Sequence, residues 1–215
     1  MLISAPMKLC SDSFNDGDYI PTRYALGKRS ADGKIDLTEN KNPHLAWSDL
    51  PEGAKSIAIL CYDRSAPTKP EDVNQEGRLV PADLPRADFA HWILVDLAPD
   101  ASIVEGAFSD GATPHGKDGP AGPLGTRSGI NDYTGWFAGD PDMAGDYYGY
   151  DGPCPPFNDA IVHRYDFVAY ALDIDRVAVE GKFTGSDVLS AMEGHILGEA
   201  NIGFKYTINP NAQEL

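Results

Sequence analysis

The chain is short of basic residues. Lys and Arg number 17 against 33 Asp and Glu, which leaves a formal net charge of −16 over 215 residues. So acidic a protein repels phosphate backbones and anionic lipid at long range, which argues against nucleic acid or an acidic membrane as a partner. Long apolar runs are missing too: nothing reaches the roughly 18 residues that a membrane span requires. Met1 to Phe14 shows no basic stretch followed by an apolar one, so no signal peptide is expected. Cysteine is scarce. Cys10, Cys61 and Cys154 are odd in number, far apart and without a C-x-x-C pair. That disfavours a disulfide framework or a zinc site and leads us to expect reduced thiols in the cytoplasm. The chain also has no G-x-S-x-G elbow, no H-x-H or H-E-x-x-H pair, no P-loop and no G-x-G-x-x-G fingerprint. No cofactor and no metal are expected.

Glycine and proline, in contrast, are plentiful. The 22 Gly and 17 Pro together make about 18% of the chain, against an average near 12%. The excess predicts many turns and long ordered loops, and speaks against a helical bundle. Apolar content of 42% and charged content of 23% are ordinary for a globular protein, and the length suits one domain over residues 1–215.

Aromatic and β-branched residues mark the strands. Ser56–Tyr62 is a nearly continuous apolar run, and Phe89–Leu97 and Val162–Leu172 are rich in Val, Ile and aromatics. Asn201–Ile208 alternates more loosely, and Arg23–Leu26 reads as a short strand. One segment reads as a helix, Ser186–Ala200, where Val188, Met192 and Ile196 recur at a spacing of four. Thr184 or Ser186 is placed to cap it, with Asp187 in its first turn. Two long loops, Asp63–Asp88 and Ser109–Pro156, separate these elements, and loops of such length usually carry function.

Strand phase nominates a site. Ile57, Ile59, Cys61 and Asp63 share one face of their strand, His91, Ile93, Val95 and Leu97 share one, and His163, Tyr165, Phe167 and Ala169 share one. Each apolar row carries one titratable residue near a strand end. In an antiparallel sheet the end of one strand lies beside the start of its neighbour, so Asp63, His91 and His163 are expected to meet at one rim.

Three stretches then resemble a known family. They are Cys61-Tyr62-Asp63-Arg64-Ser65-Ala66-Pro67 followed by His91-Trp92, then Tyr150-Asp151-Gly152-Pro153-Cys154-Pro155-Pro156, then His163-Arg164-Tyr165. In this order they are similar to the D-P-D-A-P…H-W, G-P-x-P-P and H-R-Y motifs of the phosphatidylethanolamine-binding protein family, in its bacterial Raf-kinase-inhibitor-like branch. The resemblance runs over roughly residues 20 to 210. It implies a mainly β fold, two packed antiparallel sheets in a Greek-key-like sandwich with a few peripheral helices, one of them near the C-terminus. It also implies a rim pocket for an anion or phosphorylated head group, built from Asp63, His91 and His163 and walled by Tyr150, Pro155 and Pro156. Arg64 and Ser65 stand where the family has Pro and a second Asp. Ser65 is therefore added to the ligand-binding set, and Arg64 is expected to make the rim more positive.

The leading expectation is a non-catalytic binding protein for a small anionic or phosphorylated ligand. A protein-interaction module regulating a kinase is the first alternative. A hydrolase using His91 or His163 as general base is the second, although Cys154 reads as a small structural residue. The resemblance also leans toward a homodimer. The segments 68–90 and 131–150 are longer than in the shortest relatives, and Trp136 or Tyr148 is expected to be buried there.

Overall fold

An uninterrupted apolar run such as Ser56–Tyr62 suits a strand covered on both faces rather than one. The structure, a computed structural model that describes residues 6–215, places this run at the centre of the molecule. In chain order the strands are β1 (Lys8–Cys10), β2 (Gly27–Arg29), β3 (Ile35–Leu37), β4 (Ala46–Ser48), β5 (Ser56–Pro67), β6 (Arg86–Leu97), β7 (Arg127–Ser128), β8 (His163–Leu172) and β9 (Ile196–Tyr206). Two α-helices accompany them, α1 (Tyr133–Trp136) and α2 (Gly185–Met192). The main sheet has the order β7-β6-β5-β8-β9, and two ribbons, β1-β4 and β2-β3, complete the β structure. All of these pairings are antiparallel. The mainly β, sheet-packed architecture with a late helix is as expected.

Both faces of the main sheet are buried. Ile57, Ile59 and Cys61 of β5 join Trp92, Leu94, Phe167 and Phe204 in one core, which β1 and the N-terminal segment cover through Met7, Leu9 and Phe14. Ala58 and Leu60 point the other way and join Ile93, Val95 and, from α2, Val188 and Met192. No helix among the described residues is long and apolar enough to cross a membrane.

Three local expectations need correction. The helix expected over Ser186–Ala200 ends at Met192, and Ile196 already pairs with Leu172 as a strand residue. Gly194 makes the break with φ +80°, a conformation that suits glycine and ends helices. The N-terminal half of that expectation holds: Thr184 and Asp187 close a reciprocal capping box. Arg23–Leu26 is not a strand, because Thr22–Tyr24 forms a 3₁₀ turn. Asp63 and His91 do not sit at strand ends, since β5 continues to Pro67 and β6 begins at Arg86.

Candidate functional site

The site depends on an irregularity in β6. Trp92 pairs with Cys61 and Ala90 with Tyr62, so His91 is an extra residue between two pairs. This β-bulge puts two successive side chains on one side of the strand. Trp92 and Leu94 face the first core, Ala90 and Ile93 face the second, and His91 turns with Trp92 rather than with Ile93. Its ring lies 5.4 Å from that of Tyr165, which belongs to the first core. Simple alternation would have put His91 on the face away from Asp63. The bulge brings the two together.

Asp63 is the hub. Its Oδ1 accepts the Ser65 backbone N–H at 2.7 Å, and its Oδ2 lies 2.6 Å from His163 Nδ1. The other nitrogen of His163, Nε2, is 2.9 Å from Asp159 Oδ2. Arg86 then grips Asp159 with both ends of its guanidinium, at 2.7 and 3.0 Å. A chain Asp63–His163–Asp159–Arg86 thus alternates in sign through the interior. Burial alone would lower the His163 pKa, but the two flanking carboxylates outweigh it and raise the value to about 9. The ring is an imidazolium at neutral pH and donates from both nitrogens. Arg86 and His163 in turn hold the Asp159 carboxyl below its ordinary pKa against the cost of its burial.

His91 is the opposite case. Burial pushes its pKa down, and the pull of Asp63 does not overcome this. Its Nδ1 lies 2.8 Å from the Asp151 carbonyl oxygen. A carbonyl only accepts, so the proton sits on Nδ1, and Nε2 of the neutral ring carries a lone pair. Asp151, itself fully buried, accepts from Asn40, Asn131 and Lys117. It anchors the turn that follows, and at Gly152 a β-carbon would lie 2.0 Å from the Tyr24 carbonyl oxygen. Glycine is needed there by close approach, and Pro153, Pro155 and Pro156 then set the wall with fixed φ.

Above these groups opens a cavity of about 420 Å³. Asp63, His91, Pro155 and Pro156 line it, together with Cys154. Three residues expected to bind the ligand stand behind it. His163 is fully buried with both nitrogens taken, and it reaches the cavity only through Asp63. Tyr150 is packed into the core, where its hydroxyl donates to the Tyr24 carbonyl. Ser65 Oγ accepts from the Arg164 N–H, so Ser65 serves the site through its backbone. Arg64 does not add charge to the rim. It lies over the Tyr62 ring and pairs with Asp88 and Asp166, and Tyr62 packs with the second core.

Several site residues escaped the sequence reading. Tyr165 has a fully buried hydroxyl with no partner. Burial, and then the nearby Asp63 charge, raise its pKa well above the ordinary value, so it keeps its proton. Tyr165 stood in phase with His163 and was legible as a third member. Tyr133, Phe137 and Trp136 line the cavity from α1 and the segment after it. Trp136 is 45% exposed at the mouth rather than buried, and the buried aromatics of this segment are Tyr133, Tyr147 and Tyr150. Tyr148 is half-buried, with its ring against Gly119. No lysine or arginine lines the cavity, whereas Asp63 and Asp140 do.

A mainly antiparallel β domain with a rim cavity closing on a carboxylate and an imidazole defines a class of small ligand-binding folds. The chain matches the phosphatidylethanolamine-binding protein family over residues 10–207 and belongs to that family. It is 32% identical to UPF0098 protein YbhB of Escherichia coli K12, over 91% of this chain and 97% of that one. It is 34% identical to a UPF0098 protein of Methanothermobacter thermautotrophicus, over 91% and 95% respectively. Among solved structures, a phosphatidylethanolamine-binding protein homologue from Chlamydia trachomatis superposes with a TM-score of 0.62 at 27% identity, covering 94% of this chain and 97% of that one. Escherichia coli YbcL shares the fold with a TM-score of 0.67, covering 95% of this chain and 100% of the other at 24% identity.

Proposed function

We propose that the protein binds, without transforming, a small ligand whose head is a protonated oxyacid such as a phosphate monoester. The observation that carries this reading is the pair that lines the cavity, the Asp63 carboxylate and the bare Nε2 of His91, both acceptors that a ligand O–H group can satisfy. The wall offers no fixed cation, so a bare dianion would face Asp63 unfavourably. A hydrogen phosphate avoids this by donating its own P–OH to Asp63 or to the His91 Nε2. His163 compensates the Asp63 charge from behind.

The same geometry speaks against nucleophilic catalysis. Cys154 borders the cavity, but burial pushes its thiol up to about 12, which leaves almost no thiolate at neutral pH. Cys10, Cys61 and Cys154 are all free thiols, which supports a cytoplasmic setting.

The test is calorimetric titration with inorganic phosphate and glycerol phosphate, followed by recovery of the ligand. The wild type is expected to bind and return the ligand unchanged. His91→Phe, which removes the Nε2 acceptor at the cavity wall, is expected to weaken binding about tenfold. Absence of binding, or release of phosphate from the ester, would overturn the reading.

A further inference from the structure

The cavity is much larger than the head group assigned to it. A phosphate fills about the space of three waters, near 90 Å³, in a cavity of about 420 Å³. Beyond Asp63 and His91 the walls change character. One side is a run of aromatic rings. Tyr133 meets His91 edge-on at 5.3 Å and Phe89 edge-on at 5.1 Å. It stacks on Phe137 at 5.4 Å with an angle of 11° between the planes. Trp136 stands at the mouth, half exposed. The rest of the lining includes Pro155, Pro156 and Leu26, the last packed in one cluster with Tyr133. Tyr133 and Phe137 are held from behind. The Tyr133 hydroxyl donates to the Gly152 carbonyl at 2.8 Å, and Phe137 packs on Tyr147 at 5.5 Å. The surface is therefore preformed and needs no ligand to organise it.

We infer that the ligand carries an aromatic ring attached to its oxyacid head, seated against the Tyr133, Trp136 and Phe137 rings that line the cavity. This deepens the binding reading above and rests on it. A flat ring meets aromatic edges and faces there in the offset and edge-on arrangements that rings favour. A flexible alkyl chain would fill the same space while losing rotamer freedom that a ring does not have to lose. Phe137 and Trp136 come from the 131–150 segment, which leaves the head-group residues untouched. The segment therefore selects the ligand body independently of the head.

The inference is tested by titrating the full chain with inorganic phosphate, butyl phosphate and phenyl phosphate, with fluorescence of Trp136 as a second readout. Phenyl phosphate is expected to bind at least about tenfold tighter than phosphate, and tighter than butyl phosphate, from the apolar area it buries. Phe137→Ala and Trp136→Ala are expected to remove most of that gain, read in each variant as the ratio of phenyl phosphate to phosphate affinity. Trp136 is half exposed and Phe137 is only partly buried, so both variants are expected to fold. Equal affinity for phosphate and phenyl phosphate, a preference for butyl phosphate, or a gain that survives both substitutions would overturn the inference while the head-group reading stands. Failure of all three ligands to bind would overturn both.

Discussion

The buried chain Asp63–His163–Asp159–Arg86 makes the stability of the fold depend on pH in a window where few other groups act. His163 titrates near 6.5 when unfolded and at about 9 in the folded protein. A folded pKa raised above the unfolded one means that the native state binds the proton more tightly. The contribution is therefore complete below about pH 6.5 and is lost as pH rises toward 9. The shift of about 2.5 units at 1.36 kcal/mol per unit sets a full amplitude of about 3 kcal/mol. About 2 kcal/mol of it should disappear between roughly pH 6 and pH 8.5. His91, whose folded pKa burial lowers, contributes with the opposite sign, and cysteines of the unfolded chain ionise near about pH 8.5, but both act alike with or without the His163 ring and cancel when a variant is compared. The assay is urea unfolding at a series of pH values for the wild type and for His163→Gln, which keeps hydrogen-bonding capacity and cannot titrate. The wild-type profile should fall by about 2 kcal/mol relative to the variant. Parallel profiles, or an NMR titration placing the His163 ring below about pH 7, would refute the assignment of an imidazolium between two carboxylates.

The proposed ligand chemistry has its own pH signature: phosphate affinity should fall from about pH 5 to about pH 8, as the P–OH proton is lost, and a flat calorimetric profile would count against it. Gly152→Ala should destabilise by about 3 kcal/mol, because the β-carbon would meet the Tyr24 carbonyl oxygen at 2.0 Å; thermal unfolding checks this, and a change below about 1 kcal/mol would mean that the wall turn adapts freely. In the native protein Cys154 should react with a thiol reagent at least about a hundredfold more slowly than the exposed Cys10, since its pKa is pushed up to about 12; mass spectrometry after timed labelling decides it, and equal rates would show that the thiol is more accessible and more acidic than its burial implies.

Much of the fold was legible because the strands carry strong local signals. The β5 run and the aromatic-rich β8 announce themselves by residue type, and the Thr184–Asp187 capping box marks the start of α2. The end of that helix was not legible. Ile196 continues a helical spacing from Val188 and Met192, yet it pairs with Leu172 once Gly194 has turned the chain. Periodicity alone cannot distinguish these, because the decision is made by a partner strand far away in sequence. In the site, the residue types around Asp63, His91 and His163 were readable, but their division of labour was not. Which imidazole is charged depends on Asp159 and Arg86, which lie outside the strand-phase rows. Arg64 looked like a rim charge until Asp88 and Asp166 were seen to hold it elsewhere.

The bulge at His91 bears on how such sites arise and disappear. Strand side chains alternate with a period of two, so one residue more or less moves every side chain beyond it to the opposite side. Here the extra residue is absorbed locally, and the apolar rows on either side keep their cores. A single inserted codon in an ordinary strand is thus enough to swing one side chain out of register and into a cavity while the rest of the strand stays as it was. Removing the neighbouring codon for Ala90 would close the ladder and return the imidazole to the other face. Gain or loss of a binding group in this scaffold is then a matter of strand length, with no need to replace the residue itself.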